Sequence, residues 1–191
     1  NLLNQNRKFK SLCDVQIIKD LAKNSVGYHS DAVSLIIKNI VHQIEFLISQ
    51  IDIVETLINE HELVKESPLH QIPGMGNVQI AYITSAIENI SRFDSPNQVL
   101  AYAGLDPKIR QSGQFEAKNT RMSKRGNKLL RYGLTWSANN VRKNSNTMNE
   151  YYLKKRSEGK SHYNALGHCA KKVINYIFFI LTNPDKEFIL D

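Results

Sequence analysis

This sequence predicts an all-α fold: a long coiled-coil-like helical arm, then a compact helical domain that opens with a helix-hairpin-helix-like motif. Three observations carry that expectation. Apolar residues recur at helical spacing along most of the chain, capping residues and glycine stops punctuate them, and β-hairpin signals are nearly absent. The 191 residues are 41% hydrophobic and 23% charged, which suits a real core and excludes a disordered chain.

Residues 1–27 read as a linker. "NLLNQNRKFK" is polar and basic, unlike a secretory leader, and the first residue is Asn1 rather than Met, so the chain is expected to be a piece of a longer protein. Residues 28–66 read as the arm. Val33, Ile37, Ile40, Ile44, Leu47, Ile51, Val54 and Ile58 succeed one another at alternating steps of four and three. That is a heptad repeat, with Ile37, Ile44, Ile51 and Ile58 at a and Val33, Ile40, Leu47 and Val54 at d. Ile36, Val41, Ile48 and Leu57 widen the stripe, so a second helix of the same chain could share it. An ordinary core helix is the alternative reading; a coiled-coil arm would serve dimerisation and hold two functional domains apart.

Residues 67–191 read as the compact domain. Ser67-Pro68 looks like an N-cap with proline at the first helical position, opening a short helix to about Ile72. Pro73-Gly74-Met75-Gly76 is a tight glycine turn, and Ile80, Ile83, Ile87 and Ile90 then fall on one helical face. Short helix, turn and amphipathic helix resemble a helix-hairpin-helix, whose turn and helix N-terminus hold a DNA phosphate without reading sequence. A plain αα-turn is the alternative. Ser95, Pro96 and Gln98 read as N-cap, N1 proline and capping-box partner, and Gly104 as the stop. "GLDPKIRQSGQF" is a loop, with room for a short hairpin between Arg110 and Arg121. A helix resumes near Ser123 and runs through "GNKLLRYGLTWSANNVRK"; a shorter one covers "TMNEYYLKKRSEGK". A last one spans about Ser161 to Thr182 with Ala165, Leu166, Cys169, Ala170, Val173 and Ile177 facing inward. Its apolar end, "VINYIFFIL", is too short to span a bilayer, and no membrane partner is expected.

Charge divides the chain. Tyr28 to Glu66 carries a net −5, whereas Gly104 to Lys172 holds sixteen Lys or Arg against four acids, a net of +12. A polyanion therefore belongs to the C-terminal half. Within it, Arg110 to Arg131 gathers seven basic residues around Ser112 and Ser123. Arg110, Arg121, Lys124, Arg125, Lys128 and Arg131 are candidate phosphate contacts, with a merely solvated basic face as the alternative. Asn127 shares a helix face with Arg131. Leu129, Tyr132 and Trp136 read as core rather than base-stacking residues, and Tyr151-Tyr152 as either. Cys13 and Cys169 read as two ordinary reduced thiols, and the six histidines have no metal-binding spacing. His168 carries no role.

"IPGMG", "RFDSPNQVLAYAGLDP", "QSG", "SKRGNKLLR" and a closing helix with Lys171-Lys172 occur in this order between about Ser67 and Leu181. Together they resemble the C-terminal transposase domain of the RuvC-plus-serine insertion-sequence family, the Piv/MooV-type DEDD transposases. The resemblance implies a DNA transposase or recombinase that exchanges strands through a serine nucleophile, here Ser112 before Gly113. Gln111 and Gln114 stand where members often carry a serine and a second glycine. Members also carry an N-terminal RuvC-like nuclease domain that binds magnesium (Mg2+), so the resemblance implies a fragment without that domain, inactive by itself. It further implies DNA as substrate, a structured guide RNA, a homodimer or higher oligomer, and a cytoplasmic bacterial setting. Gly74, Gly76, Arg110, Gly113, Arg121, Ser123, Lys124, Arg125, Asn127, Lys128 and Arg131 are the candidate nucleic-acid contacts. A non-catalytic nucleic-acid-binding and oligomerisation module is the competing reading.

Overall fold

The computed structural model describes residues 15–27, 30–107, 111–112, 115–116 and 122–191. Among these the protein is all-α apart from one pair of two-residue strands. Helix α1 is Val15–Lys23, α2 is Asp31–Glu60 and α3 is the single turn Glu62–Lys65. A 3₁₀ turn, Pro68–Gln71, leads to α4, Asn77–Ile87, and a second one, Ile90–Arg92, to α5, Pro96–Tyr102. Strands β1, Gln111–Ser112, and β2, Phe115–Glu116, precede α6, Lys128–Asn144, α7, Asn146–Ser157, and α8, His162–Thr182. The backbone falls into two compact units that meet inside α2, one ending at Gln50 and the other running from Ile51 to Asp191.

In the second unit α6 is the hub, packing on α4, α7 and α8, while α8 also receives α5 and both 3₁₀ turns. The inward stripe of α6 is Leu130, Leu134, Ala138 and Val141, each fully buried. Facing them are Ala165, Leu166, Cys169, Ala170, Val173 and Ile177 of α8, the residues whose spacing predicted that face. Gly133 sets the distance between α4 and α6: a Cβ there would lie 2.8 Å from the Cβ of Tyr82, so only a residue without a side chain lets the helices approach this closely. The C-terminal tail closes on the domain. Phe188 N donates to Gln71 Oε1 (2.8 Å), and its ring lies 5.1 Å from that of Tyr176.

Caps explain where the helices start, and two depart from expectation. Ser67 Oγ accepts from Leu69 N as its sequence signal predicts, although it opens a 3₁₀ turn rather than an α-helix. Ser95 makes no side-chain cap; Gln98 reaches one residue further back, accepting from Asp94 N and donating to Asp94 Oδ2. Ile90 does not continue α4, because Glu88 adopts φ +56° and ends it; Ile80, Ile83 and Ile87 are the buried stripe.

Helix α2 is 30 residues long, about 45 Å at the α-helical rise, and buries none of them. Its a and d residues stay roughly half exposed, from 47% at Ile44 to 58% at Leu47, save Ile58, which packs on the core. It is therefore not a core helix of this chain. By length and composition it is apolar enough to cross a membrane. Yet Lys38, Glu45, Asp52 and Asn59 recur every seven residues beside His42, Ser49 and Thr56. One side is polar along its whole length, whereas a spanning helix is apolar all round.

Candidate nucleic-acid interface

The basic segment is pinned at its base. Residues 102–107 and 122–127 run antiparallel. Asn127 N donates to Tyr102 O (2.7 Å), Lys124 N to Gly104 O (3.0 Å) and Ser123 N to Asp106 O (2.8 Å), and Pro107 bridges Met122. Ser123 Oγ adds a short bond, 2.5 Å, to Asp106 Oδ1. Arg131 reaches back from α6 and donates Nη1 to Ala103 O at 2.8 Å. Gly126 makes this closeness possible, since a Cβ there would sit 2.0 Å from Tyr102 O. Lys124 takes φ +54°, the left-handed region, to pair with the opposite limb.

Nested between these limbs, β1 and β2 form the short hairpin for which the sequence left room, with Gln111 opposite Glu116 and Ser112 opposite Phe115. Ser112 is the last paired residue of its strand. Arg110, Gly113 and Arg121 lie outside the described residues, as does Cys13.

The clamp changes the reading of Ser123. Its hydroxyl is taken by Asp106, and the helix cap is Asn127, whose Oδ1 accepts from Leu130 N (3.0 Å). Helix α6 therefore starts at Lys128 instead of near Ser123, because the limb up to Asn127 is held extended by Tyr102 and Gly104. Lys124, Arg125 and Lys128 are exposed, whereas Arg131 is half-buried by its tie to Ala103.

At the other candidate site, Gly74 has φ +79° and is seated on α6, where a Cβ would come within 2.8 Å of Asn140 O. Gly76 is the N-cap of α4 and offers no side-chain cap. The first-turn N–H groups of Asn77, Val78 and Gln79 meet no acceptor among the described residues; the ladder starts with Ile80 N to Gly76 O (3.0 Å). Leu129, Tyr132 and Trp136 correct the sequence reading. They are 56%, 50% and 46% exposed, on the side of α6 away from its buried stripe. A helix this apolar has more large side chains than one core face can take, and periodicity alone does not say which ones are left out.

Tyr151 and Tyr152 pack within the domain. Tyr152 is buried, its hydroxyl hydrogen-bonds His162 Nδ1 (2.7 Å) and the Arg142 guanidinium lies 4.4 Å over its ring. Lys172 Nζ stands 4.1 Å from the ring centre of Tyr151. Desolvation, with help from Lys155 and Lys160, lowers the His168 imidazole below its usual value. Burial pushes the Cys169 thiol up to about 11, which keeps it a protonated, inert core group. Among the described residues no three His, Cys, Asp or Glu side chains converge in a way that would hold a metal ion.

Residues 66–153 match the family described as "Transposase IS116/IS110/IS902 family". The matched stretch contains the glycine turn, the clamp, the hairpin with Ser112 and helix α6. The chain is also 30% identical, over 113 residues, to an uncharacterized 44.8 kDa protein of insertion element IS116 from Streptomyces clavuligerus. That alignment covers 59% of this chain and 28% of the relative, so the chain spans under a third of its length.

Proposed function

We propose that this chain is the C-terminal part of an insertion-element transposase of the IS116/IS110/IS902 kind, and that it exchanges DNA strands through Ser112. The observation that carries the reading is the family match over residues 66–153, because it spans both the Ser112 hairpin and the clamp beneath it. In the proposed step Ser112 Oγ attacks a backbone phosphorus. One P–O ester bond forms, one breaks, and the serine proton ends on the departing DNA hydroxyl. The phosphoserine link conserves the ester, so rejoining needs no nucleotide hydrolysis. Exposed Lys124, Arg125 and Lys128 would balance the charge that grows on the non-bridging oxygens, and the open N–H groups of α4 would grip a second phosphate in the manner of a helix-hairpin-helix. Magnesium, in this reading, belongs to a nuclease domain ahead of residue 1; no described cluster of this chain suits it, and no step above passes through it. A structured guide RNA is a further proposed partner. The half-exposed stripe of α2 is proposed to pair two copies as a coiled coil.

Full-length protein incubated with its element's DNA should yield a covalent DNA adduct that mass spectrometry places on Ser112. Ser112→Ala should abolish the adduct while leaving DNA binding within about twofold. Normal recombination by that variant would remove Ser112 from the role. The competing reading, grip without chemistry, predicts no adduct under any condition.

A further inference from the structure

An open cavity of about 610 Å³ lies in the second compact unit, beside the exposed face of α6. Its wall is aromatic: Tyr82, Tyr132 and Trp136 form a continuous run, with ring centres 5.4 Å apart for the first pair and 6.0 Å for the second. One end is formed by Gly76 and Asn77, where the uncapped first turn of α4 points its N–H groups. The other holds the Glu55 carboxylate and Asn59, whose Oδ1 accepts from Asn77 Nδ2 at 2.8 Å.

Large aromatic side chains half open to water cost free energy unless something covers them in use. The ends of the cavity say what kind of ligand does. Free backbone donors at a helix N-terminus suit an anionic group. A carboxylate suits a hydrogen-bond donor such as an exocyclic amine and repels a second anion. Between them the flat, apolar body of the ligand would lie on rings. Phosphate, flat ring and amine together describe a nucleotide. A duplex hides its ring faces by stacking, so the ligand must be unpaired. Lys128, one helical turn before Tyr132, adds positive charge on the same side of α6.

We infer that Tyr132 and Trp136 stack an unpaired nucleobase of a bound strand, with its phosphate toward the first turn of α4 and its exocyclic amine toward Glu55. The inference rests on the nucleic-acid reading above and extends it from backbone grip to a base-capturing site. It assigns work to side chains that the clamp and the Ser112 hairpin do not use.

Trp136 is the sole tryptophan of the chain, so its emission reports this cavity alone. The 191-residue chain is titrated with a fluorescein-labelled single-stranded 12-mer of mixed sequence, with the blunt duplex of the same sequence, and with a single strand whose central positions are abasic. Anisotropy reports binding and tryptophan emission reports stacking. The intact single strand should quench Trp136; the duplex and the abasic strand should bind without quenching. Tyr132→Ala and Trp136→Ala should each weaken the intact strand by about tenfold and leave the abasic strand unchanged, while Trp136→Phe restores most of the affinity. Circular dichroism checks that these surface variants fold. Binding of every oligonucleotide with no change in emission, and with Tyr132→Ala at full affinity, overturns the base site while leaving the nucleic-acid reading intact. No binding of any oligonucleotide overturns both. Conversion of a dimer to a monomer by Trp136→Ala, with strand affinity unchanged, overturns the base site in favour of a second copy as occupant.

Discussion

Gly126 shows how a single residue decides whether the basic segment can be held at all. The Tyr102 carbonyl and the Gly104 amide occupy the volume that any side chain at 126 would need, at 2.0 and 2.4 Å from a built Cβ. Both obstacles are backbone, so neither can swing aside as the end of a side chain would. Gly126→Ala should therefore push the limbs apart and destabilise the second unit by about 3 kcal/mol, read from the denaturation midpoint in urea. Cys169 makes the opposite kind of prediction, one of inertness. It is fully buried, and burial holds its thiol near 11, so almost no thiolate exists at pH 8. In a Cys13→Ser variant, Ellman's reagent at pH 8 should react only as fast as the domain opens, and promptly in urea. Immediate reaction in native buffer would show that the α6–α8 packing is looser than described. The two residues were not equally legible in the sequence. The burial of Cys169 came from its place on the inward stripe of the last helix, whereas the Gly126 approach depends on a contact with residues more than twenty positions away, which local spacing does not encode.

Among elements, those whose boundary is set by local chemistry were legible and those set by distant contacts were not. The last helix was predicted over Ser161 to Thr182 and runs His162–Thr182, because its Ser161 cap and its apolar stripe are both written within the segment. Helix α6 was expected to begin near Ser123 but begins after Asn127, because residues 122–127 are paired with 102–107 and withheld from the helix. The same pairing was the hidden part of the candidate site: the basic cluster around Ser112 could be counted, but the bond from Ser123 to Asp106 could not. That bond is short and charge-assisted, and it joins the two limbs directly ahead of the hairpin. Ser123→Ala should lower stability by about 1.5–3 kcal/mol, since it strips a partly buried carboxylate of its donor. In the full-length protein the rate of adduct formation on Ser112 should fall as well, and Ser123→Thr, which keeps the hydroxyl, should restore both. If Ser123→Ala abolished the adduct entirely while the domain stayed as stable as before, Ser123 rather than Ser112 would be the better nucleophile candidate.

At the scale of the whole molecule, the outstanding quantity is the apolar surface of α2. The heptad spacing was legible from residue 33 onward, but whether this chain or another would cover it was not, because a repeat specifies a seam and says nothing of its partner. The structure leaves the stripe uncovered, with eight a and d side chains of which only Ile58 touches the core. The magnitudes favour pairing. Completing the burial of half-exposed Val, Ile and Leu side chains contributes on the order of 1 kcal/mol each, so two copies gain roughly 15 kcal/mol. Association costs roughly 4–15 kcal/mol, more for a loosely ordered arm. The balance lies on the side of a dimer, narrowly enough that two charges should reverse it. Ile44→Glu with Ile51→Glu places a carboxylate at consecutive a positions, where in a parallel pair each would face its own copy. Sedimentation velocity should show the wild-type chain as a dimer or larger and the double variant as a monomer. The thermal transition of the compact domain should stay in place, since neither side chain belongs to its core. Loss of that transition in the variant would mean that the domain itself relies on the stripe, and an unchanged sedimentation coefficient would remove α2 as the interface.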